Sequence, residues 1–144
     1  APGTAPTFLV AALKDPQGAN LDRIQVVKGW LDASGKAQEK VYDVVWAGDR
    51  KPGNDGKLPP VGDTVDVPRA TFTNTIGAAE LAAVWKDPDF QPAQRAFYYA
   101  RVIEIPTPRW TAYDQVRFGV KMSDDVPMKQ QERAWTSPIW YSPI

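Results

Sequence analysis

The run Leu21 to Leu31 reads LDRIQVVKGWL, Asp32 to Lys36 reads DASGK, and Gln38 to Ala47 reads QEKVYDVVWA. Side chains in an extended strand alternate between its two faces. Ile24, Val26 and Trp30 therefore share one face of the first run, with Arg23, Gln25 and Val27 on the other, which is the pattern of a half-buried strand. The second run places Tyr42, Val44 and Trp46 opposite Val41, Asp43 and Val45. With Ser34-Gly35 at the centre of the intervening turn, the two runs read as one long β-hairpin.

Short, punctuated segments extend outward from that hairpin. Upstream, TFLVAAL (Thr7 to Leu13) closes in the turn KDPQGAN and predicts a strand buried on both faces. Downstream, Gly48 to Asp63 is a loop by composition, and Thr64–Val67 and Ala70–Thr75 resemble short strands separated by Pro68. Ala78 to Asp87 has good helix formers ahead of Pro88 and predicts a short helix, although Leu81, Val84 and Trp85 would also serve an edge strand. Ala96 to Ile105, AFYYARVIEI, is the strongest strand and ends at PTP; RWTAYDQVRFG then suits one or two helical turns. The terminal RAWTSPIWY (Arg133 to Tyr141) predicts an extended segment integral to the fold, with Pro138 at an edge or bulge and one of its two aromatic faces in the core. Several short strands with turns between them predict a mainly β fold, an antiparallel β-sandwich of immunoglobulin-like or jelly-roll-like type with one or two short helices. Residues 1–6 read as an interdomain linker and 7–144 as a single domain.

Composition restricts the chemistry. Among 144 residues, 17 Lys and Arg balance 17 Asp and Glu, so the chain lacks the basic excess that drives nucleic-acid and anionic-lipid binding. It has no cysteine and no histidine, which removes disulfides, thiolate metal sites, the commonest general base and every Ser-His-Asp arrangement. Fourteen prolines cut the chain into short pieces. No apolar run is long enough to span a bilayer, and APGTAP lacks the regions of a signal peptide.

Three constellations remain. Asp49, Asn54, Asp55, Asp63 and Asp66 offer oxygen ligands but miss the alternating spacing of a calcium loop, and Asp15, Asn20 and Asp22 lie in a segment that Pro16 and Gly18 already explain as a turn. Glu80, Glu104, Asp114 and Glu132 are eligible for a glycosidase-type carboxylate pair, yet nothing in their spacing pairs them. The third is aromatic and basic: Tyr98, Tyr99 and Arg101 on the strong strand, followed by Arg109, Trp110, Tyr113 and Asp114. Such residues can stack sugars or anchor an interface. Equally, Arg101 can be a structural anchor bonded to backbone or to a carboxylate. Arg101, Arg109, Trp110, Tyr113 and Asp114 are the candidate contacts for a partner or ligand.

The strings RAFYYARVIEIPTPRWTAYD and ERAWTSPIWYSP, with IQVVKGWLD, KVYDVVWAGDRKPG and LPPVGDTVDV upstream, resemble the C-terminal region of the bacterial domain-of-unknown-function family thirty-six-oh-four. That family is similar to the PHP-type metal-dependent phosphoesterases. The resemblance implies an upstream catalytic domain carrying the His and Asp metal ligands, and a noncatalytic C-terminal β-sandwich that braces or completes it. It implies no catalytic residue, cofactor or metal ligand in this chain, with metal ions held upstream. The expected partner is that upstream domain, not nucleic acid or a membrane. Secretion signals are common in such proteins, which points to the periplasm or secretion. An independent carbohydrate-type binding module is the alternative.

Overall fold

A strand that pairs along both edges organises its neighbours, and Leu21–Leu31 is the longest strand to do so. In the computed structural model, which describes residues 3–143, the strands are β1 (Thr7–Leu13), β2 (Leu21–Leu31), β3 (Ala37–Trp46), β4 (Glu80–Lys86), β5 (Ala96–Glu104), β6 (Thr107–Pro108), β7 (Lys129–Gln130), β8 (Arg133–Trp135) and β9 (Ile139–Tyr141), with a helix α1 over Trp110–Phe118. β2 lies between β3 and β5, and the far edge of β5 takes both β8 and β9, all antiparallel. β1 and β4 form a separate antiparallel ribbon. Phe8, Val10, Ala12, Leu81 and Trp85 of that ribbon pack against Ile24, Val26 and Tyr98 of the larger sheet. This is a β-sandwich of unequal layers. Ala1, Pro2 and Ile144, the outermost residues of the expected linker and domain, lie outside the described residues.

The hairpin forms as its sequence predicts. Asp32 fixes the turn by accepting from the Ser34 hydroxyl and amide, the Lys36 amide and the Gln38 side chain, and these bonds hold its carboxyl down at about 2. A bulge shifts the register between Ile24 and Gln25, so Val44 and Val45 both reach the core and the strict alternation of β3 breaks there. β2 is also more deeply buried than a half-buried strand. Every residue from Leu21 to Gly29 except Arg23 is buried. On its inner face the ribbon covers it; on its outer face side chains of β5 fold over it. The Phe97 ring lies on Gly29 so closely that a Cβ there would come within 2.2 Å of Cζ.

Four other expectations are corrected. β1 is half-exposed instead of doubly buried, with Leu9 and Leu13 each 77% exposed, because a layer lies against only one of its faces. Ala78–Asp87 contains strand β4 and no helix: pairing with β1 and stacking of Trp85 on Phe8 (6.1 Å) override local helix propensity. Thr64–Thr75 holds a single bridge, Asp66 to Thr71, around a 3-10 turn over Val67–Arg69, since Pro68 suits a helical first turn and Asp66 caps the Arg69 amide. The terminal segment joins the sheet through β8 and β9, but of the face expected in the core only its last residue, Tyr141, packs there. Residues Glu132 to Trp140 are all exposed because the two-stranded ribbon does not reach across them; Tyr141 alone packs inward, beside Phe90 at 5.0 Å.

Lys28 occupies the inner phase of β2 between Val26 and Trp30, where an apolar residue would be expected, and is 2% exposed. Its Nζ donates to Asp87 Oδ2 (2.6 Å) and to the Asp89 carbonyl (2.8 Å), while the Tyr98 hydroxyl donates to the same Asp87 oxygen (2.8 Å) and the Asp89 amide to Asp87 Oδ1 (2.8 Å). Burial, reinforced by the Asp87 carboxylate, holds the Tyr98 phenol above its ordinary range. Among the described residues no buried side-chain polar atom lacks a partner. Asp87→Ala, which strands the ammonium, should cost ~3–5 kcal/mol in urea denaturation, and the double replacement Lys28→Met with Asp87→Leu should recover most of it. Equal stability of the single and double variants would show that the pair is not coupled.

Candidate functional site

The five candidate residues divide into two places. Arg101 sits on the outer face of the five-stranded sheet, where Nε and Nη2 donate to Gln25 Oε1 (2.8 and 2.6 Å). Gln25 in turn donates to Asp43 Oδ1 (2.7 Å), so a polar row crosses β5, β2 and β3 at one register level. Arg101 is thus a structural anchor, as one reading of the sequence expects, but its partner is a side-chain amide in place of a backbone group or carboxylate. The cause is register: Gln25 stands directly opposite it.

The other four belong to the start of α1. Pro108 precedes the helix, Arg109 is its N-cap in extended conformation, and Gly119 at φ +63° ends it in the left-handed region that glycine tolerates. Thr111 and Ala112 face inward, and the Thr111 hydroxyl donates to the Pro127 carbonyl (2.7 Å). Helical spacing then turns Trp110, Tyr113 and Val116 outward, and Trp110 is 60% exposed. Asp114 is half-buried on the same helix. Phe118 and Val120 extend the exposed apolar surface past the helix end.

Sequence reasoning missed a second aromatic surface. Tyr98 points inward and is buried, whereas Phe97 and Tyr99 point outward, with ring centroids 6.4 Å apart and planes only 10° from parallel. Trp140, paired across from Phe97, approaches that ring to 5.2 Å and is 72% exposed. The alternation in FYYARV carries half of this signal. The register that brings Trp140 alongside Phe97 is visible only in the fold.

Of the four eligible carboxylates, the fold brings Glu104 and Glu132 together: the Glu104 amide donates to the Glu132 carbonyl (3.0 Å). Burial first, then the neighbouring Glu132 charge, raises the Glu104 carboxyl above its usual value. Glu80 begins β4 and Asp114 lies on α1. In the two candidate cation segments Asp15, Asn20, Asp22, Asp55 and Asp63 are each engaged separately. Asp22 is fully buried and accepts from Arg50 (2.6 Å), Arg23 (3.2 Å) and Gln131 (3.1 Å); Asn20 bonds Asn74 and Ile76; Asp15 and Asp55 each close a turn. Asp63 accepts from Lys129 and from the Val65 amide. Among the described residues no three His, Cys, Asp or Glu side chains are grouped to hold a metal ion. No helix among them is long and apolar enough to cross a membrane.

These features define a mainly β, antiparallel sandwich fold that exposes Trp110, Tyr113, Val116 and Trp140 at its surface. The chain belongs to the family described as protein of unknown function (DUF3604), whose model matches residues 1–143. No curated protein and no solved structure matches it.

Two variants examine these assignments. Because its folded-state value is raised, Glu104 favours the native state below its unfolded pKa and loses that contribution as pH rises through the raised one. Glu104→Gln should therefore be more stable than the parent at pH 7, and the advantage should vanish below about pH 4; a constant difference across denaturation curves at several pH values would contradict the assignment. Trp110→Ala should cost less than about 1 kcal/mol in this chain, against the ~3–5 kcal/mol of a core Trp.

Proposed function

We propose that this chain is a noncatalytic β-sandwich domain at the C-terminal end of a PHP-like, metal-dependent hydrolase, and that it braces or completes an upstream catalytic domain. The observation that carries the reading is the exposed stripe Trp110, Tyr113 and Val116 on a helix whose opposite side is locked by Thr111 and Ala112. An apolar surface displayed on a rigid element is characteristic of an interface. The metal in this reading is held by the upstream domain. Arg109 and Asp114, flanking the stripe, supply the polar rim.

A direct test uses the full-length protein. Its reading frame ahead of Ala1 should encode a His- and Asp-rich domain, and the double replacement Trp110→Ala with Tyr113→Ala should split one cooperative thermal transition into two. An unrelated upstream sequence, or an unchanged single transition, overturns the reading.

The Phe97, Tyr99 and Trp140 row supports the second reading, a carbohydrate-binding module, since the exposed Trp140 ring beside the half-buried, mutually near-parallel Phe97 and Tyr99 rings can stack on a sugar face. Under that reading, soluble oligosaccharides should shift Trp fluorescence in the parent but not in Trp140→Ala.

A further inference from the structure

The ribbon covers only part of the sheet beneath it, and the uncovered strip adjoins an unpaired strand edge. Among the described residues β1 pairs with β4 alone. Two bonds set the phase of that ladder: the Lys14 amide donates to the Ala79 carbonyl (2.9 Å) beyond one end, and the Asp87 amide to the Pro6 carbonyl (3.2 Å) beyond the other. In an antiparallel pair, directly opposed residues alternate between exchanging both bonds and exchanging none. Phe8, Val10 and Ala12 therefore spend their backbone groups on β4, and Thr7, Leu9, Ala11 and Leu13 aim their N–H and C=O groups away from it.

That edge borders a cleft of about 230 Å³, lined by Phe8, Val10, Ile24, Tyr98, Ala100 and Ile139 among others. Its floor is the inner face of β5 and the joint between β8 and β9. Natural sheets protect such edges with lysine, proline or a bulge. TFLVAAL contains none of these.

We propose that the free edge of β1 is a strand-addition site, taking one extended segment of another polypeptide with apolar side chains at alternate positions. The backbone ladder defines the occupant's hydrogen bonding, and the cleft floor defines its inward side chains. Ala100 supplies depth, because a larger residue on that phase of β5 would fill the space. A second copy of this chain does not fit. Its β1 is underlain by its own five-stranded sheet, which would collide with β5, β8 and β9 here. The occupant is therefore a lone strand, and seated it becomes the third strand of the smaller layer. This inference goes beyond the proposed bracing role and requires no upstream domain.

The probe is a fluorescein-labelled peptide of alternating Thr and Val with a Lys at each end, followed by anisotropy. The parent chain should bind it saturably. Ala11→Pro removes one outward N–H while leaving the β4 ladder intact, a placement that edge strands tolerate; it should weaken binding by about tenfold or more without lowering the melting temperature. Ala100→Leu, which fills the floor, should do the same. Amide exchange at Leu9 and Ala11 should be fast in the free chain and slow at saturating peptide, a readout that depends on neither variant folding. Absence of saturable binding up to about 1 mM peptide, equal binding by Ala11→Pro, or unprotected Leu9 and Ala11 amides in the complex would overturn the proposal. So would a peptide-independent dimer in sedimentation equilibrium that Ala11→Pro abolishes, which would identify the occupant as a second copy.

Discussion

The buried contact between Lys28 and Asp87 is the constraint on which the arrangement of the two layers depends. Lys28 belongs to the central strand of the large sheet, Asp87 directly follows the last strand of the ribbon, and Tyr98 of β5 donates to the same carboxylate oxygen. Two strands of one layer are thereby bound to the end of the other. A charge removed from water is tolerated only when it is paired and its remaining hydrogen-bonding capacity is used. Both conditions hold only if the ribbon lies at one position along the sheet, so the pair selects an alignment that apolar packing, which is non-directional, leaves loose.

A second polar cluster acts at the opposite end of β2. Asp22, fully buried, gathers Arg50 from the long loop and Gln131 from the approach to β8, while Arg50 also donates to the Ala47 and Pro59 carbonyls. The loop Gly48–Asp63 is poor in apolar residues, and Leu58 is its one buried side chain. Its attachment is thus mainly ionic and hydrogen-bonded. The central strand carries a buried charge near each end, and the apolar residues Ile24, Val26 and Val27 lie between them.

The hairpin, the strong strand and the helix after PTP were legible because each carries its own local signal: alternation, β-branched and aromatic density, or proline punctuation. β4 was not legible, because AAELAAVWKD favours a helix locally and its strand character comes from β1, some seventy residues earlier. Burial was misjudged where it depends on the reach of another layer. TFLVAAL is apolar on both phases, so nothing in it reports that one face is bare, and the same holds for the aromatics of RAWTSPIWY. At the candidate site, Trp110 and Tyr113 were found from residue type. The partnership of Arg101 with Gln25 and the pairing of Phe97 with Trp140 depend on cross-strand register, which no single segment contains.

The seat of Phe97 on Gly29 makes two positions interdependent. A side chain at 29 cannot enter while the ring remains, and a small residue at 97 leaves bare backbone on the most deeply buried strand. Neither substitution is neutral alone, yet together an Ala at 29 and a smaller apolar residue at 97 fill the same volume. Substitution at this crossing is therefore sign-epistatic in form: the shrinking change must come first for the other to be accessible. Divergent chains of this fold should occupy the crossing with one combination or the other, seldom with a mixture of the two.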